Sequence, residues 1–427
     1  MGQAREAIHE ALEAVRVIDV HCHLRPQKPA ADSLADVLLY HHVWVELISS
    51  GMPQRELGSS GLPQEIADLE LPPVERVRRA LKYLPNISNT TLGLMLRWLL
   101  ADLYGVEEVS EANLEWLYVY VRERGGDPRW QEEVLRQRCG IEASISVEHT
   151  GDPYSPALAL GREGLPINLQ DGKRSPSEVL ASLDAILGRE VRTAGDYQEM
   201  LAKLIGGWST RELRFVGLWP LPNMTPDLAN ECEATRLLEK ARRGEQLSPR
   251  ELGSFTYYAV TASLDRLREG GPRTIQLIVG AEVLPPHRSL THWSERFTGA
   301  LGRLANAYED FHFNLSSASD LYTQDLGILA KHIPNVSVAG YWWHTFYPYY
   351  IRKSLETRLD MVPMNKIVGF FSDAYHAEWC YPKLKLVKQI TEDVLVDRVG
   401  RGWYSLELAL ELVERLFHRN AKEIYGL

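Results

Sequence analysis

Val17-Ile18-Asp19-Val20-His21-Cys22-His23 is an apolar run that closes on two histidines one residue apart. Its length and β-branched residues read as a β-strand. Side chains alternate faces along a strand, so His21 and His23 are expected on one face and Cys22 on the other, in packing. Two neutral imidazoles at a strand end can close on a single metal ion. Asp19, two residues earlier, is expected on the histidines' face, where it would orient them or balance their charge. Two satisfied polar residues ending a strand would leave the same trace, so the rest of the chain has to decide.

The chain has 427 residues, 45% of them hydrophobic, which is long for one domain but ordinary for an α/β barrel. A net charge of −10 with no basic cluster argues against a nucleic-acid or anionic-membrane partner. The four cysteines, Cys22, Cys139, Cys232 and Cys380, are scattered and form no Cys-x-x-Cys, so neither a disulfide framework nor a zinc ribbon is expected. The N-terminal segment is polar and helix-like, without the pattern of a signal peptide, and no run of eighteen apolar residues occurs. The expected compartment is the cytoplasm.

Residues 3–15 have the periodicity of an amphipathic helix. From about 25 to 140 the pattern is helical, with one helix around Leu38–Leu47 and others over Val74–Tyr83, Leu92–Leu103 and Asn113–Arg124, divided by prolines. After residue 140 short apolar runs alternate with helical segments: Ala143–Val147, Leu165–Leu169, Leu213–Leu218, Thr274–Gly280, Phe311–Leu315, Val336–Gly340 and Ile367–Phe371. With Val17–Val20 these make eight runs, mostly continuous, as in parallel strands buried on both faces. The expected fold is a (β/α)8 TIM barrel formed by residues 1–24 and 141–427, with residues 25–140 a large helical insertion after strand 1 that covers the barrel mouth. A doubly wound sheet is the alternative, but no Gly-x-Gly-x-x-Gly follows any of the runs.

Active sites of barrels lie at the C-terminal ends of the strands. Strand eight closes on Phe370-Phe371-Ser372-Asp373-Ala374-Tyr375-His376 and neighbours strand one, so Asp373 can reach the metal of His21 and His23. A carboxylate is a hard ligand and can also relay protons, although Asp equally favours a helix N-cap. Tyr40-His41-His42 lies in the insertion, and histidines folded over the mouth would suit acid–base work. The second run is followed by Glu148-His149-Thr150-Gly151-Asp152-Pro153-Tyr154, and the seventh by Tyr341-Trp342-Trp343-His344, whose aromatic pair could stack on a sugar or fill the rim. His312 reads as a packed structural histidine. No lysine stands where a carbamate could bridge two metals, and no histidine ends runs five or six, which favours a single ion.

The Asp-x-His-x-His strand, the barrel and the strand-eight aspartate together resemble the amidohydrolase superfamily, and more narrowly its uronate isomerase branch. The narrower resemblance rests on the insertion with Tyr40-His41-His42, on Thr150-Gly-Asp152-Pro153, on Gly280-Ala281, on Gly340-Tyr341-Trp342-Trp343 and on Ser372-Asp373. The resemblance implies that His21, His23 and Asp373 bind one divalent metal, most often zinc. It also implies that the chain interconverts an aldo-uronate, such as glucuronate or galacturonate, with its keto form through a cis-enediol. Asp373 would shuttle the proton between C2 and C1, and His41 would contact the sugar and assist ring opening. His42 stands where relatives can carry a tyrosine. Trp342, Trp343, Tyr375, Thr150 and Asp152 would line the substrate. Two positions depart from the family. Tyr375 takes the place of an arginine after strand eight, and residues 165–171, at the expected end of strand three, contain none. Arg25, Arg288 and Lys173 are the cations that could compensate. A mononuclear hydrolase of the same superfamily is the second functional reading. Aromatic residues in the insertion are compatible with a homo-oligomer.

Overall fold

The computed structural model describes residues 2–53, 71–147, 158–170, 174–208, 213–282, 290–291, 294 and 296–427. Eight strands form one sheet in chain order: Val17–Cys22, Ile141–Ser146, Leu158–Arg162, Leu213–Leu218, Thr274–Val279, His312–Ser317, Val336–Ala339 and Ile367–Val368. Each pairs in parallel with the next. The chain beyond the eighth strand returns to the first. Asp373 N donates to His21 O at 2.9 Å, and His23 N donates to Ala374 O at 2.8 Å. The fold is a (β/α)8 barrel.

The third strand differs from the sequence reading. It is Leu158–Arg162, and the apolar stretch 165–169 follows it as an irregular buried segment. Pro166 explains the difference, because it supplies no N–H and cannot sit inside a ladder bonded on both sides. The true strand is short and carries Gly161, which weakens its local signal. The expected helix around Leu38–Leu47 is two helices, Leu34–Leu38 and His41–Ser49, broken at Leu39-Tyr40. The later expectations in this region meet Pro73–Ala80, Thr91–Tyr104 and Leu114–Gly126.

The barrel interior is filled by Ile18, Val20, Ile145, Phe215, Ile278, Ala339, Val368 and Phe371. The C-terminal helix Asn420–Tyr425 contributes Ala421 and Tyr425 to this inner cluster. His312 is packed as expected, with Nε2 2.7 Å from Ser337 Oγ. All four cysteines are free, and Cys22 packs with the outer cluster. Among the described residues no helix is long and apolar enough to cross a membrane.

One buried carboxylate ties the region between the first two strands to the barrel. Glu378, on the helix Ala377–Gly400 after the eighth strand, accepts from Ala31 N at 3.0 Å, Trp130 Nε1 at 2.9 Å and Tyr104 OH at 3.3 Å. Removing it strands three buried donors, each costing about 1–3 kcal/mol. Glu378→Ala should therefore lower unfolding free energy by at least ~3 kcal/mol, read as a fall in the urea midpoint, while Glu378→Gln should lose less.

Candidate metal centre at the barrel mouth

A bulge in the first strand aims the histidines. Asp19 pairs with Ser144 and Cys22 with Ser146, so the first strand spends one residue more than its neighbour over this interval. An extra residue shifts the alternation of faces by one. Ile18 and Val20 point into the barrel, and so does His21, whose ring lies against Phe215 and Phe371 of the inner cluster. Asp19 falls on the other side of the slip. It is fully buried, and its carboxylate accepts from Ser372 N at 2.8 Å and from Ser372 Oγ. Its expected place on the histidines' face is therefore corrected: it anchors the loop before Asp373 and holds neither ring. Burial pushes Asp19 up to about 6, against the pull of its Ser372 hydrogen bonds.

The tautomer of His21 follows from its neighbour. Gln276 Nε2 donates to Val20 O and to Tyr425 OH, both at 2.8 Å, which turns its amide oxygen to His21 Nδ1, also at 2.8 Å. Nδ1 therefore carries the proton, and Nε2 keeps a lone pair. That Nε2 is buried and has no hydrogen-bond partner among the described residues. It faces Asp373 Oδ1 at 3.6 Å, and His23 Nε2 lies 3.3 Å from the same oxygen. The His23 ring is stacked on Tyr375 at 4.4 Å.

Asp373 is gripped on every side. Trp342 Nε1 donates to Oδ2 at 3.0 Å, leaving Oδ1 to the histidines. Tyr40 OH donates to the Asp373 carbonyl, and Lys383 Nζ reaches Ser372 O, Asp373 O and Tyr40 OH. The residue is held at φ +49°, a left-handed conformation that costs a non-glycine residue about 1–3 kcal/mol. Burial opposes its ionisation, but the His23 hydrogen bond and the charges of His23, Lys383 and His21 outweigh it and hold the carboxyl well below the usual range. Asp373 caps no helix; the next one begins after His376.

These groups suit a divalent ion. Nearest donor atoms around a tetrahedral zinc with bonds of about 2.0–2.2 Å stand roughly 3.3–3.6 Å apart. The two separations to Asp373 Oδ1 match, and the unpartnered Nε2 of His21 is the buried polar atom that such an ion would satisfy.

The structure adds a carboxylate that sequence reading missed. Glu163 follows Arg162 at the end of the true third strand. Its Oε1 lies 3.8 Å from His21 Nε2, and the ligand atoms of His21, His23 and Glu163 lie within 4.8 Å of one another. Asp373 Oδ1 is nearer to both histidines than Glu163 is to His21. Trp219 Nε1 donates to Glu163 Oε1 at 2.9 Å. Misplacing the strand hid this residue. The same strand brings an arginine to the position thought to lack one, but the Arg162 guanidinium lies over the Trp208 ring at 4.6 Å.

His41 and His42 lie together, with ring centroids 4.0 Å apart, and His41 is 5.0 Å from Tyr375. Burial pushes His41 well below its ordinary value, and burial with the Lys383 charge takes His42 down to about 3, so both are neutral imidazoles near pH 7. A cavity beside the cluster is lined by His42, Tyr341, Trp343, Tyr347, Asp373 and Lys383. Trp342 is only 1% exposed and offers no open stacking face, whereas Trp343 borders the cavity. Arg25 pairs with Asp32 at 2.7 Å and donates to Ala30 O. Thr150, Asp152, Lys173 and Arg288 lie outside the described residues.

Orienting partners of metal-bound histidines typically govern affinity 10- to 100-fold. Gln276→Ala, which frees the His21 tautomer, should weaken zinc binding by about that factor in competition with a chromogenic chelator.

No protein-family model and no curated protein matches the chain. Several solved structures align over nearly all of it, three of them uronate or glucuronate isomerases. A uronate isomerase from Thermotoga maritima has TM-score 0.80 at 15% identity, covering 99% of this chain and 97% of its own. Glucuronate isomerase from Caulobacter crescentus has TM-score 0.80 at 16% identity, covering 99% and 94%. A uronate isomerase from Bacillus halodurans has TM-score 0.76 at 16% identity, covering 100% and 96%. The chain has the fold of these uronate isomerases.

Proposed function

We propose that the chain is a metal-dependent aldose–ketose isomerase acting on a sugar acid of the glucuronate or galacturonate type. The observation that carries this reading is the unpartnered Nε2 of His21, fixed by Gln276 and facing Asp373, whose Oδ1 also lies against His23. In this reading His21, His23 and Asp373 hold one divalent ion, most often zinc, and residues 25–140 roof the site. The ion would polarise the substrate carbonyl and steady charge developing on oxygen.

The chain's own groups supply the proton movements. Aldose-to-ketose conversion takes a proton from C2, passes through a cis-enediol and returns a proton to C1, while a hydroxyl proton moves from O2 to O1. Asp373, held by Trp342 through Oδ2, is the carrier between the carbons. A neutral imidazole offers one donor and one acceptor, so His41 or His42 can pass the hydroxyl proton without a net change of charge. Trp343, Tyr347 and Lys383 line the cavity beside the cluster and are the groups a sugar acid entering there would meet.

The test is proton exchange. Metal-loaded protein incubated with glucuronate and galacturonate in deuterated water should replace the C2 proton and form ketose with at least one of them, followed by NMR. Asp373→Asn should slow exchange by about 10²-fold or more. No exchange and no ketose with either acid would overturn the assignment.

A further inference from the structure

We infer that Glu163 is a fourth protein ligand, so that the metal centre is a two-histidine, two-carboxylate set and not the three-residue set that the strand-one and strand-eight motifs imply. The inference rests on the metal-site reading of the same cluster and adds a ligand to it.

The structure builds Glu163 into the site from two directions. Gly217, on the neighbouring fourth strand, makes the room: a Cβ there would lie 2.8 Å from Glu163 Cγ and 2.9 Å from its Oε1. Trp219, two residues on, donates its indole N–H to that same Oε1 at 2.9 Å. Two positions, one on the fourth strand and one just past its end, are thus shaped around one side chain at the end of the third.

The arrangement mirrors the opposite wall. There Trp342 donates its indole N–H to Asp373, and the Trp219 and Trp342 rings meet edge to face with centroids 4.9 Å apart. Each carboxylate is therefore oriented by an indole N–H, and the two indoles brace each other. A hydrogen-bonded, oriented carboxylate is what a metal site needs from its supporting residues. Glu163 Oε1 retains a lone pair and stands 3.8 Å from the unpartnered His21 Nε2. That distance lies just beyond the 3.6 Å of Asp373, so a small movement of the Glu163 carboxylate would bring it to the separation of donors around one ion. Two carboxylates also balance the charge of a divalent ion in a buried place, where uncompensated charge is costly.

Cobalt(II) tests the inference without any sugar, because its visible spectrum reports coordination geometry. Parent protein should bind one cobalt, with a visible spectrum set by its four protein donors and a position left for substrate. Glu163→Gln should weaken binding about 10- to 100-fold and change the spectrum. Gly217→Ala, which removes no donor atom but crowds Glu163, should shift both in the same direction, and Trp219→Phe should do so more mildly. Metal-free melting curves matching the parent's would separate these effects from misfolding. Unchanged cobalt affinity and spectrum in Glu163→Gln would overturn the inference, as would a parent that binds no cobalt. A parent that binds cobalt through Glu163 but exchanges no uronate proton would lose the isomerase assignment and keep this ligand.

Discussion

The site depends on the closure between the last strand and the first. The backbone bonds Asp373 N to His21 O and His23 N to Ala374 O set the strand-eight aspartate against the two histidines of strand one. Asp19 reinforces the junction by holding Ser372 through both backbone and hydroxyl from a fully buried position. Without this seam nothing would bring Asp373 to His21 and His23, which stand at the other end of the chain. A left-handed Asp373 is tolerable only because its N–H, carbonyl and carboxylate are each held by a different element.

The segment between the first two strands joins this centre by similar means. Tyr40 bonds to the Asp373 carbonyl, and Lys383 links Tyr40 to the same turn. Farther out, Glu378 gathers Ala31, Tyr104 and Trp130 around one buried carboxylate. The histidines next to Tyr40 are thereby held as neutral, desolvated imidazoles beside the cavity. Burial, which costs stability in any buried titratable group, here gives two rings that can donate and accept near neutral pH.

Much of this is legible in the chain. Continuous apolar runs mark seven of the eight strands near their true places, and the motifs alone set the two histidines and Asp373 on a shared rim. What escapes is what pairing decides. Pro166 spoils the more apolar run, while the real third strand is short, contains Gly161 and owes its place to its neighbours. Glu163 disappears with that strand. The face of Asp19 is misjudged because strict alternation ignores a bulge, and a bulge is a property of two strands and not of one. Gln276 looks like an unremarkable residue of a buried strand, and only its contacts reveal that it sets the His21 tautomer.

The proposal that one divalent ion belongs between the ends of the first and eighth strands is tested most directly by anomalous diffraction from crystals of the zinc-loaded protein. A single zinc peak is expected within about 2.0–2.2 Å of His21 Nε2, His23 Nε2 and an Asp373 oxygen. A zinc peak elsewhere, a pair of ions at the mouth, or a fully loaded crystal in which His21 Nε2 bonds only to protein would contradict it.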